Sequence, residues 1–404
     1  MAVMVRQLDL LNGLTAKSQP LLTDRSIRAG RYIRQPAGYR AFIPNPLPPE
    51  PALDIDSEMH ELLSDADRAL GRLDGSIQTL PNPDLFVFMY ARKEAVLSSQ
   101  IEGTQASIND LLKAEAEVLD PAAPRDVNEV FNYLRAMNSG LARLKELPLS
   151  VRLMKEMHAN LLQGVRGQHQ QPGETRRSQN WIGPHGCTLT DATYIPPPHH
   201  DAETALGELE RFIHAEDHIP PLIRIGLIHS QFETIHPFLD GNGRIGRLLI
   251  TFFLCEKGFL QKPVLYLSHY FKANRDDYYQ HLQRVRDRGD WETWVKFFLR
   301  GVATVAGQAT DTARKIVDLR ETHRVLIIEK FGSSGANAIK LLEQLYKSPS
   351  ITVNRAKDFL DISYPNANNL MTRLCEQEIM FEVTGQARNR VFFYSPYINL
   401  FGDL

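Results

Sequence analysis

Apolar residues recur with a helical period along most of this chain. Between residues 56 and 73 the apolar positions are three or four residues apart, at Met59, Leu62, Leu63, Ala66, Leu70 and Leu73. That spacing places them on one face of a helix. Similar patterns and end signals predict further helices, at residues 85–100, 107–119, 126–144, 150–162, 201–214, 222–234, 244–256, 276–285 and 290–310. We therefore predict a mainly α-helical protein, with the last helical stretch running on to about residue 330.

One interval has strand character instead. Residues 179–183 and 187–195 are rich in β-forming side chains and flank the turn sequence Gly-Pro-His-Gly of residues 183–186. Prolines 196–198 end this interval, because proline removes a backbone donor. A lone β-hairpin inserted in a helical core is the prediction.

Composition divides the chain into four parts. Residues 1–52 end in the proline-rich stretch 43–51, which cannot be helical, so an extended N-terminal segment is predicted. Residues 53–148 form a helical N-terminal region, and residues 149–312 form a helical core with the hairpin. Residues 335–404 form a separate C-terminal module.

This C-terminal module has the pattern of a winged helix-turn-helix. Three short helices are predicted before a hairpin around Gly385, at residues 336–346, 352–360 and 365–377. The third helix carries Arg373 and three asparagines that could contact DNA bases, Asn366, Asn368 and Asn369. The module has seven basic and seven acidic residues, so it lacks the usual phosphate-binding charge, and protein docking and DNA binding both stay open.

Charge and cysteine content narrow the class of protein. The net charge of −2 argues against bulk electrostatic binding to nucleic acid or to anionic lipid. Three cysteines lie far apart and suggest no disulfide framework. The N-terminus has no apolar stretch typical of a signal peptide, and no apolar run is long enough to span a membrane. We expect a soluble, cytoplasmic protein.

The candidate chemistry lies in one stretch, HPFLDGNGRIGR, from His236 to Arg247. Pro237 ends the preceding helix, so Asp240, Gly241, Asn242 and Gly243 lead into the N-terminus of the next helix. Free backbone N–H groups and the helix dipole make such a terminus an anion site, and the glycines let phosphate oxygens approach the backbone.

Side chains of the same stretch complete a nucleotide site. Arg244 and Arg247 share a helix face and could hold a polyphosphate; the alternative is that they pair with surface carboxylates. Asp240 could bind Mg²⁺ together with phosphate oxygens, and His236 could accept a proton near neutral pH. The embedded GxGxxG pattern does not indicate a Rossmann fold, because a helix rather than a strand precedes it.

Every position of this stretch matches HPFx[D/E]GN[G/K]RxxR, the motif of the Fic family, and the chain resembles that family over about residues 60–310. Members mostly transfer AMP from ATP to a Ser, Thr or Tyr hydroxyl of a target protein. The resemblance also extends to residues 173–176 and 274–279. It implies a Fic-type helical core whose hairpin is the flap on which the target docks.

The resemblance also implies roles for individual residues. His236 resembles the base that activates the target hydroxyl, Asp240 resembles the Mg²⁺ ligand, and Arg247 would hold the γ-phosphate. Relatives with Lys at the position of Gly243 phosphorylate instead, so this glycine favours adenylylation. The full implied nucleotide-binding set is Gln231, Pro237, Phe238, Leu239, Asp240, Gly241, Asn242, Gly243, Arg244, Arg247 and Asn274.

A second motif implies regulation. Ser98, Glu102 and Gly103 match the inhibitory signature [S/T]xxxE[G/N] of the family. In relatives this glutamate pairs with the second arginine of the main motif, so a pair between Glu102 and Arg247 would hold the enzyme in an autoinhibited state. Gly103 is predicted to end the helix that carries the signature.

The expected function is therefore Mg²⁺-dependent protein adenylyltransfer from ATP, autoinhibited by Glu102. One alternative is removal of AMP by the same site, with Glu102 orienting a water molecule. Another is a DNA-binding transcriptional regulator with a nucleotide-sensing core. Relatives also suggest a homodimer.

Overall fold

The computed structural model describes residues 27–78, 80, 83–115, 126–184, 186–385 and 390–401. Among these described residues, the N-terminal region contains one hairpin and four helices: β1 (Gly30–Arg34), β2 (Arg40–Pro44), α1 (Ser57–Gln78), α2 (Pro83–Ile101), α3 (Ile108–Glu115) and α4 (Val127–Arg143). The four predicted helices are confirmed. Residues 116–119, the predicted end of the third one, lie outside the described residues, as do residues 1–26 of the predicted extended segment.

The hairpin β1–β2 lies in the part of the chain for which an extended, loop-like segment was predicted, so that prediction is wrong for residues 30–44. The two strands pair antiparallel, with Tyr32 opposite Phe42. Phe42 N–H also donates to the carbonyl of Ile195 at 2.9 Å, which ties β2 to the core. The β-forming residues on both sides of a Pro-Ala-Gly turn carried the signal, but the proline-rich stretch that follows obscured it.

The described part of the central region contains seven helices: α5 (Val151–Leu161), α6 (His199–His214), α7 (Pro221–Ile235), α8 (Asn242–Glu256), α9 (Ser268–Ala273), α10 (Arg275–Arg288) and α11 (Trp291–Phe331). All were predicted except α9, which has six residues and is too short to show a period. Helix α11 has 41 residues and runs unbroken past residue 312, the predicted limit of the core. Helix α1 packs along it.

The predicted flap hairpin is not regular in the structure. A single bridge, between Ile182 and Tyr194, joins its two arms. Turns stabilised by side chains replace the strands beyond that bridge: the Thr188 hydroxyl donates to the Asp191 carboxylate at 2.8 Å, and the Trp181 indole donates to the Cys187 carbonyl at 3.2 Å. Such local hydrogen bonds compete with strand pairing. We call residues 179–195 the flap segment.

The C-terminal module follows α11 through a short 3-10 turn. Its elements are α12 (Gly335–Lys347), β3 (Ser350–Thr352), α13 (Val353–Leu360), α14 (Tyr364–Glu376), β4 (Phe381–Glu382), β5 (Val391–Phe393) and α15 (Ser395–Ile398). The strands form one antiparallel sheet in the order β3-β5-β4. This order of elements agrees with a winged helix-turn-helix, although the assignment stays a prediction.

The face of α14 that was predicted to contact bases is only partly free. Asn366 and Asn369 are exposed, whereas Asn368 accepts a hydrogen bond from Arg390. The guanidinium of Arg373 donates to the Ser334 hydroxyl at 2.6 Å and to the Lys330 carbonyl at 2.9 Å. Its cationic group is thus bound to the end of α11 and to the turn that follows it, which weakens the case for phosphate binding.

One contiguous apolar core runs through all these regions. Trp291 and Trp294 of α11 are buried in it, and the Trp294 indole donates to the Gly226 carbonyl of α7 at 2.8 Å. No helix among the described residues is both long and apolar enough to cross a membrane. The core fixes α7 and α8 side by side, with α4 packed against α8.

Close packing between α4 and α8 gives a test of this arrangement. A Cβ added to Gly140 of α4 would lie 2.4 Å from the ring of the buried Phe252 of α8. Overpacking of this kind costs about 1–3 kcal/mol, so we expect Gly140→Ala to lower the midpoint of thermal unfolding. Gly207→Ala, in open space on α6, is the matched control and should raise the midpoint, because alanine favours a helix by up to about 1 kcal/mol. A Gly140→Ala midpoint at or above that of the unchanged protein would contradict this packing.

Candidate active site

The loop between α7 and α8 has two left-handed residues at its ends. His236 directly follows α7 with φ 48° and ψ 59°, and Gly241 precedes α8 with φ 79°. The side chain of Asn242 closes the loop, since its oxygen accepts from Phe238 N–H and its nitrogen donates to the Phe238 carbonyl, both at 2.8 Å. The sequence HPFLDGNG thus forms a compact bend whose conformation its own polar side chains fix.

Two residues outside the motif bind backbone carbonyls of this bend. The Arg176 guanidinium donates to the His236 carbonyl at 2.9 Å, and the Asn180 amide donates to the Phe238 carbonyl at 2.9 Å. Burial lowers the pKa of Arg176 to about 10, so the group still carries its charge at neutral pH. Arg176 belongs to the stretch 173–176 that carried the resemblance, but no role had been assigned to it.

His158 of α5 supports the bend from its other side. Its Nδ1 accepts from Gly173 N–H at 2.9 Å, so the proton of the neutral ring lies on Nε2, which donates to the Asp240 carbonyl at 2.9 Å. The ring also stacks on Phe238, with centroids 3.9 Å apart. Burial lowers the pKa of His158 to about 4, which agrees with the neutral form. A single histidine on an amphipathic helix gave no local signal for this role.

His236 is nearly fully buried, and neither ring nitrogen has a hydrogen-bond partner among the described residues. Burial, followed by the charges of Arg176 and Arg286, lowers the pKa of His236 to about 3. The imidazole is therefore neutral at physiological pH, and a lone pair is available on one nitrogen. That is the state required of a general base.

The first turn of α8 is the predicted anion site, and a carboxylate of the chain itself lies on it. A Cβ built on Gly243 would come within 2.1 Å of Glu102 Oε1, so this oxygen lies directly over the glycine. Only a residue without a side chain allows this approach. An anion at a helix N-terminus is stabilised by the free N–H groups and by the dipole.

Glu102 is held there by Arg247. The Arg247 guanidinium donates to Glu102 Oε1 at 2.7 Å, and also to the hydroxyl of Ser98 at 2.8 Å and its carbonyl at 3.0 Å. Gly103 has φ 95° and follows the end of α2, as predicted for a residue that ends a helix. The structure thus joins the inhibitory signature to the second arginine of the motif.

The first arginine points elsewhere. Arg244 lies 3.3 Å from a carboxylate oxygen of Glu129 on α4 and 3.4 Å from Asp240 Oδ1. Asp240 Oδ1 also accepts from Gly241 N–H at 2.6 Å, whereas its Oδ2 faces Gly167. Glu129 was not foreseen, because α4 carries no motif around it. The two arginines of α8 are therefore both paired with buried or half-buried carboxylates, not with surface ones.

The remaining predicted residues divide into two groups. Pro237, Phe238 and Leu239 are buried within the bend. Gln231 and Asn274 are engaged further away: the Gln231 amide donates to the Asn45 carbonyl at 2.8 Å, and the Asn274 amide donates to the Tyr270 carbonyl at 2.9 Å. Both side chains thus bind backbone carbonyls of the protein, the first across the fold and the second within its own segment. A contact of these two residues with nucleotide stays a prediction.

The site residues lie in regions that match known families. The model described as Fic/DOC family N-terminal matches residues 60–142, and the model described as Fic/DOC family matches residues 148–254. The first match contains Glu102 and the second contains the whole stretch from His236 to Arg247. Residues 60–142 and 148–254 are thus similar to the two parts of Fic/DOC family proteins.

Curated relatives agree with these two matches. Protein adenylyltransferase Fic of Drosophila willistoni is 27% identical over 278 residues, which cover 62% of this chain and 52% of that protein. Protein adenylyltransferase Fic of Drosophila sechellia is 30% identical over 218 residues, which cover 51% of this chain and 40% of that protein. The chain thus spans about half the length of the curated relatives it matches, or less.

Solved structures support the fold. A Fic family protein from Desulfovibrio desulfuricans G20 superposes with a TM-score of 0.54 at 17% identity, covering 85% of this chain and 97% of that one. A Fic domain containing signaling protein from Bacteroides thetaiotaomicron superposes with a TM-score of 0.50 at 20% identity, covering 64% and 96%. The predicted mainly helical, Fic-type fold is confirmed.

The buried state of His236 predicts its titration. Because its pKa is lowered to about 3, we expect the imidazole signal to stay that of the neutral ring from pH 8 down to about pH 5. Nuclear magnetic resonance of the ¹⁵N-histidine-labelled protein measures this, with His236→Ala to assign the signal. A midpoint near the ordinary histidine value of about 6.5 would contradict the buried, unpaired environment.

Proposed function

We propose that this protein is an adenylyltransferase that transfers AMP from ATP to a Ser, Thr or Tyr hydroxyl of a target protein. The observation that carries the proposal is the pairing of a neutral, unpartnered His236 with the glycine-lined N-terminus of α8 in one bend. The names of the curated relatives support the same activity.

The reaction requires one proton acceptor and one anion site. His236 accepts the proton of the target hydroxyl, and the hydroxyl oxygen attacks the α-phosphorus of ATP. A bond forms between that oxygen and the α-phosphorus, the bond from the α-phosphorus to the bridging oxygen breaks, and pyrophosphate leaves. Backbone N–H groups of the first turn of α8 stabilise the phosphate charge.

Arginines and a metal ion would hold the outer phosphates. Arg247 lies within reach of the helix N-terminus and would bind the γ-phosphate, and Arg244 would bind the neighbouring phosphates. Asp240 suits Mg²⁺, because its Oδ2 is not bound to Arg244 and Mg²⁺ usually takes few protein carboxylates. No cluster of three acidic, histidine or cysteine ligands occurs within the described ranges, so water and phosphate oxygens would supply the other ligands. The ion would neutralise phosphate charge.

Glu102 makes this site autoinhibited in our proposal. Its carboxylate pairs with Arg247 and lies over Gly243, so it would compete with the γ-phosphate for both partners. ATP could then bind only with its phosphates displaced from the productive position. Removing the carboxylate would free the guanidinium and the helix N-terminus together.

The flap segment is the proposed docking surface for the target. Its tip is exposed at Gly186, Thr188, Thr190 and Asp191, while the bridge between Ile182 and Tyr194 fixes its base near the His236 bend. An extended peptide could pair with such a backbone edge and bring its hydroxyl to the histidine. A homodimer, DNA binding through α14 and a cytoplasmic location stay predictions from the sequence.

Glu102→Gly tests the proposed function and its inhibition together. A hydrogen bond to a charged group contributes about 1.5–3 kcal/mol, so we expect AMP incorporation to rise roughly 10- to 100-fold. Incubation of the full chain with α-labelled ATP and Mg²⁺, with self-modification as the readout, measures the effect.

The matched control is the double variant Glu102→Gly/His236→Ala. It should bind ATP as the single variant does but incorporate no label. Label in the Glu102→Gly protein at or below the wild-type level would argue against autoinhibition. Equal label with and without His236 would refute its role as the base.

The same geometry allows the reverse task, removal of AMP. The Glu102 carboxylate lies inside the site, next to the anion position, and could orient a water molecule there instead of pairing with Arg247. Incubating wild-type protein with AMP-modified protein in the absence of ATP separates the two activities. Release of AMP that depends on Glu102 would favour this second candidate.

A further inference from the structure

Three side chains of α2 face Arg247, and only two of them belong to the inhibitory signature. Glu94, Ser98 and Glu102 are four residues apart, so they lie on one face of the helix. Ser98 and Glu102 contact Arg247 directly. Glu94 is buried one turn further from the site, beside Tyr133 of α4 and Ser268 of α9.

Hydroxyl groups connect Arg247 to this third residue. The Arg247 guanidinium donates to the Ser98 hydroxyl at 2.8 Å, the Ser98 hydroxyl lies next to that of Tyr133, and the Tyr133 hydroxyl donates to Glu94 Oε1 at 2.9 Å. Ser98, Tyr133 and Glu94 are all fully or almost fully buried. Water therefore has little access to this chain of polar groups.

The direction of these hydrogen bonds is fixed by their ends. A guanidinium can only donate, and Glu94 Oε1 accepts from both Tyr133 and Ser268. Ser98 accepts from Arg247 and so has its own proton free for the Tyr133 oxygen, and the Tyr133 proton is given to Glu94. The two end bonds, from Arg247 to Ser98 and from Tyr133 to Glu94, thus both point from the cation towards the carboxylate. Neighbouring hydrogen bonds of the same direction strengthen one another.

We propose that Glu94 is a positioning residue for Arg247, acting through Tyr133 and Ser98. The relay, as we call Ser98, Tyr133 and Glu94, fixes the guanidinium at the N-terminus of α8 whether or not Glu102 is paired with it. After release from Glu102, Arg247 is then already oriented for the γ-phosphate. The inference rests on the proposed function, in which Arg247 binds that phosphate.

The surroundings of Glu94 fit a role of this kind. Ser268 also donates to its Oε1, at 2.6 Å, while its Oε2 has no partner among the described residues and the residue borders a small cavity of about 180 Å³. Lys93 and His269 line the same cavity. Burial raises the pKa of Glu94 to about 7, and the charge of Arg247 is among the influences that keep it from rising further. Burying a carboxylate costs free energy unless the charge is paired and hydrogen-bonded.

The test compares ATP with ADP, because only ATP has the γ-phosphate. In the full-length Glu102→Gly protein, we expect Glu94→Gln and Tyr133→Phe each to weaken ATP binding roughly two- to tenfold and to leave ADP binding unchanged. Isothermal titration calorimetry with Mg²⁺ gives both dissociation constants. Tyr266→Phe, a buried tyrosine that lines the same cavity outside the relay, is the matched control and should change neither constant.

Other outcomes separate the inference from the proposed function. An equal loss for ATP and ADP would mean that the relay only supports the fold, and unchanged constants in both relay variants would also overturn the inference. Arg247→Ala in the same background is the reference: it should lower ATP affinity relative to ADP. If Arg247→Ala leaves that ratio unchanged, the assignment of the γ-phosphate fails and the inference falls with it. If Arg247→Ala lowers the affinity for ATP relative to ADP and the relay variants do not, only the inference fails.

Discussion

The site is organised by one contact, between the carboxylate of Glu102 and the backbone of Gly243 at the start of α8. A helix N-terminus favours an anion, and here the anion comes from the neighbouring helix α2 instead of from a ligand. Arg247 adds the opposite charge from α8 itself, at 2.7 Å. In the proposed function, this contact occupies the position that the γ-phosphate of ATP would take.

The chemistry of the bend depends on how tightly it is buried. Arg176, Asn180 and His158 bind its carbonyl oxygens and so fix its backbone within the protein. The same burial lowers the pKa of His236 and keeps it neutral. Support from outside the motif thus decides both the shape and the protonation state of the residues inside it.

The sequence predicted most of the helices and the whole motif, because long amphipathic helices and a contiguous loop leave local patterns. The pair of Glu102 with Arg247 was expected from a family signature, whereas the hydrogen bond between Ser98 and Arg247 was not. His158, Glu129 and Glu94 were missed, because each is a single polar residue on an otherwise ordinary helix and acquires its partner only through tertiary packing. Regular strands were predicted for the flap segment, but its β-forming residues form turns that side-chain hydrogen bonds stabilise. No strands were predicted for β1 and β2, because a run of prolines follows them.

Crystal structures with a non-hydrolysable ATP analogue and Mg²⁺ would test the central contact most directly, in the wild-type and the Glu102→Gly proteins. The account predicts that only the variant has the γ-phosphate on Arg247, phosphate oxygens on the N–H groups of α8, and the α-phosphorus facing His236. The wild-type protein should show a displaced triphosphate or none. The same productive pose in both proteins, with Glu102 still paired to Arg247, would contradict it.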